Sequence, residues 1–254
     1  MRILVTNDDG VHAPGIALLE EIARQFSDDV WVVAPADNQT GAGHSLTLSA
    51  PVRLRKHSAR RWSVTGTPTD AVTMGLKVVL DGPPDLILSG INAGANLGDD
   101  ITYSGTVSAA MEGALAGVRS IALSQVMTAD APASGDRFEA ARAWAARAIA
   151  PLLDTPFAPR TLVSINFPAL AADAVKGIRV ARQGFHDYAR GTVEERRDPR
   201  GARYYWFGLD VVEHTRGNDS DLEAIEDGFV SVTPLQLELT HHASLDGLRE
   251  RYQR

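Results

Sequence analysis

The sequence predicts an α/β fold, an open parallel sheet crossed by helices, with a β-hairpin arm near its C-terminal end. Three observations carry this. Short apolar runs rich in β-branched residues alternate with stretches of helical periodicity as far as Asn166. Strand–helix alternation of this kind gives parallel strands joined by right-handed crossovers. After about Arg179 the chain changes to an arginine-rich stretch and an aromatic run, which reads as a projecting hairpin.

The elements follow in order. Ile3-Leu4-Val5 reads as a buried strand, and Pro14 suits the first turn of a helix. Ile16, Leu19, Ile22 and Phe26 recur at helical spacing and form one apolar stripe. Val30 to Ala34 is a second buried strand stopped by Pro35, and Ala36 to Gly43 is a polar loop. Ser45 to Ser49, Val52 to Lys56 and Trp62 to Thr65 read as an excursion of short strands. Thr67-Pro68-Thr69-Asp70 carries a cap, a proline and an acid in the order of a helix start, and that helix is expected to reach about Leu80. Asp85 to Ser89 is the third core strand, and a long loop is expected from Gly90 to Tyr103. Ser104 opens an Ala/Gly helix through Ala116, Ile121 to Ser124 is a fourth strand, Phe138 to Leu153 is a helix, and Leu162 to Asn166 is a fifth strand.

Six arginines, at 182, 190, 196, 197, 200 and 203, are interleaved with acids, and Tyr204-Tyr205-Trp206-Phe207 follows. Such a stretch is either a solvated loop beside a strand or an oligomer contact, since aromatics and Arg are enriched at interfaces. Phe229 to Pro234 is a returning strand, and a short charged tail ends the chain. The expected division is a core over 1–180, with the strand excursion at 45–65, and a segment 181–254 of arm, returning strand and tail used for oligomer contacts.

Composition excludes several classes. Of 254 residues, 44% are hydrophobic and 22% charged, which is ordinary globular usage. Net charge is −7 with no basic block, which argues against a nucleic-acid polymer as partner. With no cysteine, disulfides, thiolate metal clusters and thiol nucleophiles are excluded. No apolar run approaches the ~20 residues that span a bilayer, and the N-terminus reaches Asp8 too soon for a signal peptide. The expectation is a cytoplasmic protein without a membrane partner.

In an open parallel sheet, ligands bind beyond the carboxyl ends of the strands, where strand order reverses. Three polar, glycine-bearing segments should meet there: Asn7 to Gly10, Asn38 to Gly41, and Gly90 to Gly94. Asp8 and Asp9 are adjacent carboxylates at a strand end. Either they share a hard divalent cation such as Mg²⁺ or Mn²⁺, with Thr40 and Asn92 adding neutral oxygens, or one caps a helix and the other is solvated. Ser104-Gly105-Thr106 opens a helix, which is either an anion cradle assisted by Asn96 or an ordinary serine cap. The spacing Gly90, Gly94, Gly98 matches neither a dinucleotide fingerprint nor a P-loop. No serine stands in a GxSxG elbow and the histidines form no HExxH motif, so packing or surface roles are expected for them. Acids, oxygen donors and a helix start on one rim together describe metal-assisted phosphoryl hydrolysis.

These residues also resemble a known family. Asn7-Asp8-Asp9-Gly10-Val11-His12-Ala13-Pro14-Gly15 is similar to the opening signature of the SurE survival-protein family of 5′/3′-nucleotidases. The resemblance continues through Ala34-Pro35, Asn38 to Gly43, Gly66 to Asp70, Ser89 to Gly98, Tyr103 to Val107, and Phe229 to Leu235. It implies a Rossmann-like core and a divalent-metal-dependent phosphatase acting on nucleoside 5′- and 3′-monophosphates and, in some members, on short polyphosphate. By motif position it implies one Mg²⁺ or Mn²⁺ per subunit held by Asp8, Asp9, Thr40 and Asn92. The family usually has Ser where Thr40 stands, and Thr keeps the hydroxyl. The resemblance also implies a homodimer or homotetramer with exchanged C-terminal elements.

The expected chemistry has Asp8 and Asp9 at the catalytic centre, with Asn96, Ser104, Gly105 and Thr106 on the phosphate oxygens. A phospho-aspartyl route is disfavoured, because the acids are adjacent rather than two apart. Two other readings stay open. A receiver-type module also has an acid pair after its first strand, but Asn92 and Asn166-Phe167-Pro168 stand where it needs Asp and Lys. A non-catalytic nucleotide- or phosphate-binding module on the same fold is the other.

Overall fold

The computed structural model describes residues 1–128, 134–189, 191–210 and 212–253. Arg190, one of the six arginines of the expected arm, lies outside the described residues. Strands β1 (Arg2–Thr6), β2 (Asp29–Pro35), β3 (Leu54–Ser58), β4 (Arg61–Val64), β5 (Leu86–Ala93), β6 (Arg119–Gln125), β7 (Thr161–Phe167), β8 (Ile178–Val180) and β11 (Val230–Gln236) form a nine-stranded sheet. Its order is β3-β4-β2-β1-β5-β6-β7-β11-β8. From β4 to β7 neighbouring strands are parallel. β3 is an antiparallel edge, and β11 returns antiparallel beside β7 with β8 parallel to it. Strand order reverses at β1, which lies between β2 and β5.

Helices α1 (Pro14–Ala23) and α4 (Glu139–Leu153) cover one face of the sheet, and α2 (Pro68–Met74) and α3 (Gly105–Leu115) cover the other. The period of two along each strand divides the core between them. Ile3, Val5, Leu86 and Leu88 meet the first pair of helices, while Leu4, Val33 and Ile87 meet the second. Burial of each such side chain contributes about 1.5–3 kcal/mol. Ile16, Leu19 and Ile22 are buried as the stripe requires, and Phe26, past the end of α1, packs at the margin of that core.

The Thr67 start is built as its residues suggest. Thr67 Oγ1 accepts the Asp70 N–H at 3.1 Å, and Asp70 Oδ2 accepts the Thr67 N–H at 2.9 Å. The helix then passes at Gly75 into a π-helical turn, Gly75–Val79. Ser45 to Ser49 is not a strand. Its polar groups turn to that cap instead: Ser45 O accepts from Thr67 Oγ1 at 2.7 Å, and the Thr47 N–H donates to Asp70 Oδ1 at 3.1 Å. The loop expected from Gly90 begins later, because β5 continues to Ala93. A register shift between Ser89 and Asn92 lets it stay paired with β6, with Asn92 opposite Ser124.

Strands β9 (Gly191–Arg197) and β10 (Arg203–Leu209) form a separate antiparallel hairpin. Its aromatic run is exposed, up to 85% at Phe207. Helices α5 (Asp221–Glu226) and α6 (Leu245–Tyr252) lie near the end of the chain, and neither is among the elements expected from the sequence. Among the described residues, no helix is long and apolar enough to cross a membrane.

Gly15 sets how closely α1 approaches β5. A Cβ there would lie 1.9 Å from the Ile91 carbonyl oxygen, a backbone atom that cannot rotate away. Gly15→Ala is therefore expected to lower the free energy of unfolding by about 1–3 kcal/mol, read as a reduced urea midpoint. An unchanged midpoint would refute this close packing.

Candidate active site

The acid pair follows β1 at the reversal of strand order. Asn7, fully buried, closes a turn there: its Nδ2 donates to Gly10 O at 3.0 Å and its Oδ1 accepts the Gly10 N–H at 3.2 Å. The Asp8 carbonyl accepts the Gln39 N–H at 2.7 Å, which ties the loop after β2 to the loop after β1 and brings Thr40 to the rim.

The Asp8 side chain turns inward and is 3% exposed. The Thr106 hydroxyl donates to its Oδ1, and the Thr106 N–H adds a second bond. Gly105 permits this approach, since a Cβ there would lie 2.7 Å from Asp8 Cβ and 2.9 Å from Oδ2. Burial pushes the Asp8 carboxyl up to about 6; the Thr106 hydroxyl opposes the shift and the Asp9 charge adds to it. Asp9 is only partly buried and accepts the Ala93 N–H at 3.2 Å; burial raises its pKa as well. Among the described residues, no Lys or Arg belongs to the main groups that act on either carboxylate. Neighbouring acids without a basic partner leave an electrostatic demand that a cation meets.

The donor set fits a hard divalent ion. Among the described residues, no cluster of three or more His, Cys, Asp and Glu is present, so an ion here takes two carboxylates and neutral oxygens. Asn92 Nδ2 donates to Gly94 O at 2.9 Å, which leaves Oδ1 as its free donor atom. The Thr40 hydroxyl gives its hydrogen to Asn38 Oδ1 at 2.6 Å, which leaves its lone pairs.

Asp8, Thr40, Asn92, Asn96 and Ser104 line one open cleft of about 220 Å³. Asp9, Gly105 and Thr106 do not line it: Asp9 bonds to its wall at Ala93, and the other two back onto Asp8. Thr106, expected on the phosphate, has its hydroxyl on Asp8. Ser104 Oγ accepts the Val107 N–H at 3.0 Å and caps α3, which leaves its own hydrogen for a further acceptor. The cap and anion-donor readings of Ser104 are thus compatible.

The loop carrying Asn96 is held from later in the chain. The Asn96 N–H donates to Asn166 Oδ1 at 2.9 Å, Asn166 Nδ2 returns a bond to Asn96 O at 3.0 Å, and Asn96 Nδ2 donates to Ser124 Oγ at 2.8 Å. Buried Asp221 accepts the N–H groups of Gly98 at 2.9 Å, Gly184 at 2.8 Å and Leu222 at 2.9 Å. Burial raises its pKa against those three amides. Sequence reasoning assigned Asn166, Ser124 and Asp221 no part in the site. Their only visible signal is position: Ser124 and Asn166 end apolar strands on the rim where the acids lie, and Ser220-Asp221-Leu222-Glu223 has the pattern of a capping box.

Comparison with known proteins bears on this geometry. The family model described as Survival protein SurE matches residues 3–190. A 5′-nucleotidase SurE from Erythrobacter litoralis (strain HTCC2594) is 64% identical over 254 residues, covering 100% of both chains. One from Rhizorhabdus wittichii is 56% identical over 246 residues, 96% of this chain and 97% of that one. The crystal structure of a SurE protein from Aquifex aeolicus superposes with a TM-score of 0.83 at 38% identity, covering 99% of this chain and 100% of that one. The family model covers most of the chain and these relatives nearly all of it, and the chain belongs to the SurE family.

Proposed function

We propose that this chain is a nucleotidase, a phosphoric monoester hydrolase that releases phosphate from nucleoside 5′- and 3′-monophosphates. The single observation that carries the reading is the pair Asp8 and Asp9, without a basic partner, at the strand-order reversal beside the start of α3. Its relatives named 5′-nucleotidase SurE support it.

Asp8, Asp9, Thr40 and Asn92 would hold one Mg²⁺ or Mn²⁺. When bound, such an ion neutralises charge on the transferring phosphoryl group and lowers the pKa of a coordinated water. The protein supplies position. Ser104 and Asn96, which line the cleft, would orient phosphate oxygens, with the Gly105 N–H at the positive end of α3. Thr106 fixes the Asp8 carboxylate from behind. The exposed aromatic face of β9 and β10 supports assembly into a homodimer or homotetramer through residues 182–216 and the tail. We place the enzyme in the cytoplasm, together with its nucleotide substrates.

Three outcomes test this. Asp8→Asn and Asp9→Asn are each expected to lower Mn²⁺- or Mg²⁺-dependent phosphate release from AMP or GMP by at least about a hundredfold. Near-normal turnover in both variants would rule the scheme out.

Asp8 also predicts a pH effect on stability in chelator. An acid whose folded pKa rises from 3.8 to about 6 favours folding less as pH climbs between those values, by roughly 3 kcal/mol in all. Asp8→Asn stays neutral and escapes that loss. In EDTA the variant should therefore match wild type near pH 4 and exceed it above pH 6.5 in urea melts. Parallel curves across that range would contradict it. Finally, removal of residues 182–216 should lower the oligomer mass measured by light scattering, and an unchanged mass would contradict the assembly.

A further inference from the structure

The loop that brings Thr40 to the rim is pinned at both ends and hinged between them. Before Thr40, the Gln39 N–H donates to Asp8 O at 2.7 Å, and Asn38 Oδ1 accepts the Thr40 N–H at 2.7 Å and the Thr40 hydroxyl at 2.6 Å. After it, Ser45 O accepts from Thr67 Oγ1 at 2.7 Å. Between these pins stand Gly41 and Gly43, with φ of 79° and 57°. A side chain is strained at such values, and glycine reaches them freely. Nothing beyond its chain neighbours lies within 4 Å of where a Cβ of Gly41 would be, so packing does not hold the hinge.

Among the described residues, one hydrogen bond carries residues 40–44 to a helix. His44 Nε2 meets Glu112 Oε2 at 3.2 Å. An ionised carboxylate only accepts, so Nε2 carries the hydrogen. The Ala42 N–H and carbonyl bond within the loop, to Gln39 O and Ser45 Oγ. Glu112 belongs to α3, the helix whose first turn holds Asp8 through Thr106. Its other oxygen accepts from Thr73 Oγ1 of α2 at 3.4 Å. The side chains of the pair are 32% exposed for His44 and 24% for Glu112. A pair exposed to that degree adds little to global stability. Its effect is local, because a single bond decides where the hinged loop rests.

We infer that the His44–Glu112 bond is the clamp that holds Thr40 within reach of the metal, which makes His44 a positioning residue for metal binding. The inference rests on the reading of Asp8, Asp9, Thr40 and Asn92 as metal ligands. It adds that α3 fixes two of them at once, Asp8 through Thr106 at its start and Thr40 through Glu112 near its end.

Calorimetric titration of Mn²⁺ into the full, metal-free chain tests this. His44→Ala is expected to weaken binding by about three- to tenfold. His44→Gln, whose amide can donate to Glu112 in the same way, should restore most of that loss. His44→Ala made on Glu112→Ala should cost nothing further, because the bond is already gone. Affinity unchanged in His44→Ala overturns the inference, as does an equal loss in His44→Gln or full additivity in the double variant. If wild type binds no Mn²⁺, the metal reading falls instead. Hydrogen exchange of residues 38–45 then decides for the clamp: faster exchange in His44→Ala supports it, and an unchanged rate overturns it.

Discussion

The contact between the Asp8 carboxylate and the first turn of α3 is the constraint on which the site depends. The acid is buried, it has no basic partner, and it reaches its place only because residue 105 lacks a side chain. A buried carboxylate of this kind opposes folding at neutral pH. The sheet offsets it. Ile3, Leu4 and Val5 lead directly into the turn that carries Asp8, and all three are fully buried between the two helix layers. The strand that exposes the acid to the rim is thus anchored deep in the core, and the strain is confined to its carboxyl end.

Much of this was legible in the sequence, for reasons that can be stated residue by residue. Apolar runs of β-branched residues placed β1, β2, β6 and β7, because a strand buried on both faces has no polar alternation to blur. Thr67, Pro68 and Asp70 marked a helix start because the cap is a bond between near neighbours. Ser45 to Ser49 misled for the opposite reason. Its conformation is set by Thr67 and Asp70, more than 20 positions away, and no local pattern reports that. Glycine at 90 read as a loop, whereas pairing with β6 carries β5 on to Ala93.

The same division runs through the site. The acids, Thr40, Asn92, Asn96 and Ser104 could be named from their types and places in the strand order. What each does to the others could not. The Thr106–Asp8 bond joins residues 98 apart, Asn166 and Asn96 are 70 apart, and Asp221 and Gly98 are 123 apart. Residue type shows what a side chain can bond to, and only the fold shows which of several acceptors it meets.

The clamp on the loop between β5 and α3 has a consequence for synthesis. Both acids lie among the first nine residues and leave the ribosome early, whereas the groups that fix Asn96 and Gly98 come from Asn166 and Asp221. A nascent chain that has completed β1 through β6 owns most of its hydrophobic core and both carboxylates, yet the loop between β5 and α3 still lacks its anchors. The order of translation thus withholds a finished candidate site until the C-terminal quarter of the polypeptide has docked.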